Sequence, residues 1–274
     1  MWKAQLLIFF GWGGLAGAQV SEATRYFEEA RATTDTSRKI ELLKKSIAAG
    51  NSFAAHYALG EAYRIKHDLQ LSEESFLRAL DTAADAKEMA RAAYRLGQVA
   101  DQQGKSADAI AWMTTSVKYH SYPEVEANLK ALEIRQMGQS ASANEIVSAL
   151  TSLSRSARVT PAVSIRIHFD LNSAELTAEG RRQADELAKA LSVESLQGQR
   201  VKLIGHTDIR GGEDLNMDLS RRRAAAVAAY LNGKAKFSRG RVLTEGKGAH
   251  DLLFPGNEEE DHRLNRRVEV QLAR

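Results

Sequence analysis

Val201-Lys202-Leu203-Ile204-Gly205-His206-Thr207-Asp208-Ile209-Arg210-Gly211 is the stretch whose reading decides the fold of the C-terminal half. Its apolar head reads as a strand and its glycine-bearing tail as a loop. The chain runs on through Asn216-Met217-Asp218-Leu219-Ser220-Arg221-Arg222-Arg223-Ala224. There Leu219, Ala226, Val227, Tyr230 and Leu231 recur at helical spacing, which predicts a helix over 219–231. At about 100° per residue, Arg223 falls in the middle of the apolar stripe, Arg221 on the opposite face and Arg222 at the flank. A guanidinium on a core-facing stripe needs a partner, and Asp208 is the nearest obvious one. An acid and an arginine held side by side form a receptor for a zwitterion. The acid takes an ammonium and the arginine fork takes a carboxylate.

Working outward, Val163-Ser164-Ile165-Arg166-Ile167-His168-Phe169 alternates apolar and polar residues as a half-buried strand does. Thr177 to Leu191 reads as a helix with Glu179 in its first turn. Arg241 to Gly246 and Arg267 to Leu272 read as further strands. Strands alternating with helices imply an α/β sandwich, one mixed sheet with helices packed on it.

Residues 20 to about 150 read as helices throughout. Ala54-Ala55-His56-Tyr57-Ala58-Leu59-Gly60-Glu61-Ala62-Tyr63 is echoed 37 residues later by Arg91-Ala92-Ala93-Tyr94-Arg95-Leu96-Gly97-Gln98-Val99-Ala100. Each block precedes a second helix, Ser72 to Leu80 and Ser106 to Val117. A weaker third copy starts near Glu126 and a half-repeat spans Lys39 to Ala49. This helix-turn-helix period resembles tetratricopeptide repeats, whose usual period is about 34 residues. Stacked pairs of this kind leave a concave face that suits a protein partner. The aromatics Tyr57, Tyr63, Tyr94 and Trp112 sit at helical spacing and are expected in the core.

The resulting expectation is an α+β two-domain chain: a leader over 1–18, helical repeats over 19–150, a linker over 151–161 rich in Ser and Arg, and the sandwich over 162–274. The leader reading rests on Lys3, the apolar run from Leu6 and a small-residue site at Ala16-Gly17-Ala18. Lys/Arg against Asp/Glu counts 17 to 18 over residues 19–155 and 20 to 17 over 156–274, so charge makes no case for nucleic acid. The absence of cysteine excludes disulfides, a thiolate metal site, a cysteine nucleophile and lipidation at an N-terminal cysteine. No apolar run reaches the roughly 20 residues of a spanning helix.

Three ordered motifs support a family resemblance over roughly residues 160–273. Phe169-Asp170-Leu171-Asn172-Ser173-Ala174-Glu175-Leu176 comes first, then Gly205-His206-Thr207-Asp208 with its following helix, then Asn265-Arg266-Arg267-Val268-Glu269. Together they resemble the OmpA-like C-terminal domain, a periplasmic peptidoglycan-binding family. The resemblance implies a non-catalytic protein without cofactor, exported to the periplasm, wall-associated and peripheral to the outer membrane. It also implies that Asp208 and Arg223 bind the diaminopimelate of the stem peptide. By the same resemblance Thr207, Asn216, Asp170 and Asn172 are further contacts to the diaminopimelate, and Arg267 and Gly211 support the pocket. From the residues alone, Asn216 reads equally as the cap of its helix and Asp170 and Asn172 as turn formers. Asp261-His262 stand where the family often has glycine, and Glu258-Glu259-Glu260-Asp261 reads as a solvated loop. Two other readings stand beside this one: a repeat scaffold whose C-terminal domain has lost its ligand, and a metal hydrolase built on His206 and Asp208. Neither HExxH nor GxSxG spacing occurs.

Overall fold

The structure, a computed structural model, describes residues 21–273 apart from 137, 171 and 236. The leader and its cleavage site lie outside the described residues. Among the described residues eight helices come first: α1 (Glu22–Ala32), α2 (Thr36–Ala49), α3 (Phe53–Ile65), α4 (Leu69–Thr82), α5 (Ala86–Gln102), α6 (Ser106–Tyr119), α7 (Pro123–Arg135) and α8 (Ala143–Ser154). Then follow β1 (Ala162–Ile165), α9 (Ala178–Leu191), α10 (Glu194–Gln197), β2 (Arg200–Gly205), α11 (Glu213–Lys234), β3 (Val242–Gly246), α12 (Glu259–Asn265) and β4 (Val268–Ala273).

The first five helices start where the sequence supplies a side-chain acceptor for their unpaired first N–H groups. Ser21, Asp35, Ser52, Asp68 and Asp85 each accept from a backbone N–H in the first turn of the helix that follows. Small residues then decide how closely successive helices pack. A Cβ at Gly60 would lie 2.7 Å from the ring of Phe76, and one at Gly97 would lie 2.6 Å from Cγ of Met113. The two glycines, like the two side chains that fill their places, are 37 residues apart, so the sequence echo is a spatial repeat of one helix-pair contact. Buried serines reinforce the seams: Ser72 Oγ donates to the Gly60 carbonyl at 2.9 Å and Ser116 Oγ to that of Ala90 at 2.7 Å. Trp112, Tyr63 and Tyr94 are buried and Tyr57 is half-buried, stacked on Phe53 and edge-on to Phe76.

The expected linker over 151–161 is too long. α8 continues to Ser154, and Leu153 is fully buried. The serines that suggested a loop are satisfied within a helix: Trp112 Nε1 donates to Ser152 Oγ at 2.9 Å, and Ser154 Oγ donates to the Leu150 carbonyl at 2.7 Å. The connection is residues 155–161. α8 also joins the two halves, because one apolar cluster runs from Phe76, Leu96 and Trp112 through Leu150 and Leu153 to Ile165, Leu187 and Val270.

The sheet has the order β1-β4-β2-β3, with β4 antiparallel to both neighbours and β2 parallel to β3. β1 is shorter than the expected 163–169. The chain bends after Ile165, where the N–H of Ile167 turns back to the Ile165 carbonyl at 3.1 Å. Alternation along the strands gives the sheet two unlike faces. Val163, Ile165, Val201, Leu203, Val268 and Val270 share the apolar cluster with Leu187 of α9 and Ala224, Val227 and Leu231 of α11. The other face carries Ser164, Arg166, Ile204, Arg267 and Glu269, and the repeats lie over it. Lys118 of α6 reaches both carboxylate oxygens of buried Glu269 at 2.7 Å, and Glu133 of α7 pairs with Arg166 at 2.7 Å.

The helix seams yield a test with opposite signs. Gly60→Ala forces a methyl against a fully buried ring and should cost about 1–3 kcal/mol, lowering the thermal midpoint. Gly233→Ala meets no atom within 4 Å inside α11 and should leave the midpoint unchanged or raise it. Thermal denaturation of the two variants followed by circular dichroism checks this.

Candidate ligand-binding site

The C-terminal end of β2 meets the middle of α11 at very short range. A Cβ at Gly205 would run into the carbonyl oxygen of Ser220, and one at Gly246 would sit 2.5 Å from Ser220 Oγ and 2.6 Å from the Arg221 nitrogen. Glycine at both strand ends therefore lets the helix lie directly on the backbone. Ser220 Oγ accepts from the Gly248 N–H at 2.9 Å, and Gly248 in turn accepts from the Thr207 N–H at 2.9 Å. The loop then reverses at Gly211, whose φ of 93° lies in the left-handed region.

α11 begins at Glu213, six residues before the expected start at 219, with Gly212 as its cap residue. Asn216 is thus inside the first turn and does not cap the helix. Its Nδ2 donates to the Arg210 carbonyl at 2.9 Å and reaches that of Asp208 at 3.4 Å. A side chain that read as a helix start is spent on closing the loop over that start.

The expected Asp208–Arg223 ion pair is not formed. Asp208 is 6% exposed and already holds two other guanidinium groups. Arg210 Nη2 lies 2.8 Å from Oδ2, the Arg210 N–H donates to Oδ1 at 3.0 Å, and Arg266 Nη1 lies 2.6 Å from Oδ2. Burial pushes the carboxyl up, but the hydrogen bonds from Arg210 and Arg266 outweigh it and hold Asp208 at about 2. Both arginines also reach Glu259, at 2.8 and 3.3 Å. The acidic run at 258–261 is therefore the start of α12 and not a solvated loop. Acids belong at a helix N-terminus, and Asp261, 3% exposed, pairs with Lys130 of α7 at 2.6 Å.

Arg223 finds its partners elsewhere. Its Nε donates to the Ser173 carbonyl at 3.0 Å, and its guanidinium lies 5.0 Å from the ring centre of Phe169. It is 9% exposed and makes no ion pair among the described residues. Burial first, and then the nearby charge of Arg266, eases its deprotonation, while Asp208 opposes this. Asp208 and Arg223 thus share one electrostatic neighbourhood without touching.

The turn holding Asp170 and Asn172 does face this region, but through its backbone. Both side chains are exposed, Asn172 has a φ of 51°, and the group that meets Arg223 is the carbonyl of Ser173. Thr207 is buried beside Asp208, with an Oγ1 that lacks a hydrogen-bond partner among the described residues. Arg267 works from beneath: its carbonyl accepts the His206 N–H at 3.0 Å, and its guanidinium bonds the carbonyls of Asn265 and Asp251. Desolvation lowers this guanidinium to about 10.

Sequence reasoning therefore missed Arg210, Arg266, Glu259, Phe169 and Ser173. Arg210 was within reach, since an aspartate bonding the N–H two residues on is a turn signature. His206 and Asp208 face different partners. The His206 ring is buried, with Nε2 3.8 Å from Glu269, and no group of three or more His, Asp or Glu side chains among the described residues is placed to hold a metal ion.

A glycine-seated helix over a Gly-His-Thr-Asp strand end, closed by an Asn-Arg-Arg element, covers one contiguous stretch. Residues 168–266 match the OmpA family. This OmpA-like domain is 36% identical over 105 residues to Outer membrane protein A of Bordetella avium, covering 38% of this chain and 53% of that protein. It is 38% identical over 104 residues to the peptidoglycan-associated lipoprotein of Pseudomonas aeruginosa, covering 38% and 60%. The chain so spans about half to three fifths of the length of these relatives. Among solved structures, the cell wall anchor of the T6SS from Pseudomonas aeruginosa is 29% identical over 40% of this chain and 79% of that one, with a TM-score of 0.36. None of the described helices is long and apolar enough to cross a membrane.

The buried imidazole of the OmpA-like domain makes stability sensitive to mild acid. Burial, then the charges of Arg267, Lys118 and Lys247, lower His206 from 6.5 to about 2. The unfolded chain takes up a proton near pH 6.5 that the folded chain refuses until about pH 2, so stability falls as pH drops below 6.5. Relative to a His206→Gln variant, the wild type should lose on the order of 2 kcal/mol between pH 6.5 and 5. Urea unfolding of both proteins across that range checks it; parallel pH profiles would show that His206 is not the cause.

Proposed function

We propose that this chain is a non-catalytic protein of the bacterial periplasm that holds peptidoglycan non-covalently through its OmpA-like domain. The helical repeats recruit a protein partner. In this reading residues 162–274 grip the wall, wall attachment places the chain peripheral to the outer membrane, and residues 19–150 present the recruiting surface. The match to the OmpA family and the similarity to proteins named peptidoglycan-associated lipoprotein support the coarse reading.

The observation that favours a stem-peptide ligand is the state of Arg223. A guanidinium 9% exposed, with no carboxylate partner among the described residues, stands beside a buried, ionised Asp208. The cost of burying such a cation falls when an anion arrives. Diaminopimelate with a free amino-acid end supplies both halves: its carboxylate goes to Arg223 and its ammonium to Asp208. Thr207, whose hydroxyl has no hydrogen-bond partner among the described residues, stands next to the pair as a further contact. Asn216 and Gly211 serve by shaping the loop, and Asp170 and Asn172 by placing the Ser173 carbonyl.

Sedimentation of the full chain with purified peptidoglycan tests this. Arg223→Ala removes a charge-assisted contact worth about 1.5–3 kcal/mol, so binding should fall roughly ten- to hundredfold. Asp208→Asn should lose a similar amount, whereas Arg221→Ala, exposed on the other side of α11, should bind as the wild type does. Equal losses from Arg221→Ala and Arg223→Ala would mean that general basic charge drives attachment, and the pocket reading would be abandoned.

A further inference from the structure

Arg210 occupies the place on Asp208 that a ligand ammonium requires. Its fork spans the carboxylate, with Nη2 2.8 Å from Oδ2 and Nε 3.3 Å from Oδ1, and its Nη1 is tied to Glu259 at 2.8 Å. The Arg210 side chain is 51% exposed, so it can swing out without disturbing the core. Arg266, 33% exposed and opposing on the same Oδ2, adds a second cation. A carboxylate accepts a limited number of donors, and here Arg210, Arg266 and the Arg210 N–H already use both oxygens. Arg223 is in the opposite condition: among the described residues a carbonyl and a ring face engage it, and no carboxylate does. The two ends of the site are therefore unequal: the anion end stands ready, and the cation end is filled by a tethered guanidinium.

We propose that Arg210 is a specificity-determining residue that competes with the ligand's ammonium for Asp208, so that only a ligand presenting a cation beside its carboxylate displaces it. The proposal rests on the reading of Asp208 and Arg223 as the two ends of a zwitterion site. Displacement costs the ligand a partly exposed, bidentate ion pair, which should read as about a fivefold change in affinity. A ligand with the carboxylate alone binds at Arg223, leaves Arg210 on Asp208, and is indifferent to this cost.

The test is titration calorimetry of the full chain with meso-diaminopimelate and with pimelate, the same dicarboxylate lacking the amino groups. Arg210→Ala should bind diaminopimelate about fivefold more tightly than the wild type and pimelate equally well. Arg210→Gln should behave like Arg210→Ala, which guards against a folding defect peculiar to one variant. Glu259→Gln, which frees the second anchor of Arg210, should move diaminopimelate affinity in the same direction by less. Unchanged or weakened diaminopimelate binding in both Arg210 variants, with Arg223→Ala still weakening it roughly tenfold or more, would overturn the competition and leave the zwitterion site standing. Diaminopimelate binding that survives both Arg223→Ala and Asp208→Asn would instead remove the site reading on which the proposal stands.

Discussion

The seating of Ser220 on the ends of β2 and β3 is the contact on which the candidate site depends. Its carbonyl lies over Gly205, and its hydroxyl accepts from Gly248 while crowding Gly246. Three glycines of the chain thus exist to let one turn of α11 touch backbone. Arg223 is one turn further along the same helix, so its reach toward Phe169 and Ser173 is set by that contact. Any Cβ at Gly205 would lift the helix and draw the guanidinium away from Asp208. The glycines of the motif are therefore as much a part of the site as the charged groups, though none of their atoms needs to touch a ligand.

The charges around Asp208 follow from the need to keep a buried carboxylate ionised. Burial alone would favour the neutral acid. Arg210 and Arg266 reverse that preference and are themselves steadied by Glu259 in the more exposed layer. The result is an alternating shell: Asp208 inside, two arginines around it, and one glutamate beyond. Arg223 is outside this shell, held by an aromatic face and a carbonyl, which stabilise a guanidinium without neutralising it. Charge neutrality is thus reached at one end of the site and left open at the other.

The strand, loop and helix around Asp208 were legible because each has a local cause: an apolar run, glycines, and a 3.6-residue period in Leu219, Val227 and Leu231. The repeat was legible because Gly60 and Gly97 recur with the bulky residues that cover them. What failed was pairing across the chain. The stripe position of Arg223 correctly marked it as buried, but the nearest acid in sequence had better-placed claimants. Arg266 stands 58 residues from Asp208, and no local pattern joins them. Asn216 misled because amides serve equally at caps and in loop closure. The serines of α8 misled because their hydroxyls bond Trp112 and a helix carbonyl, which only packing reveals.

The two halves also share more than a linker. Lys118 and Glu133 of the repeats meet Glu269 and Arg166 on the polar face of the sheet, a face that would otherwise leave buried charges unpaired. Such pairs add little net stability compared with apolar contacts, but they fix register, because a misplaced docking strands a charge. Tyr94, Val125 and Leu129 of the repeats further share an apolar cluster with Leu253, Phe254 and Leu264. The tie reaches the candidate site by a short path. Lys130 of α7 holds Asp261, Asp261 closes the first turn of α12 through the Glu258 N–H, and that helix carries Glu259 and leads into Arg266. The repeats therefore brace the cation-bearing wall around Asp208. The contact of Arg266 with that carboxylate is thus linked, through α12 and Asp261, to Lys130 of the helical half.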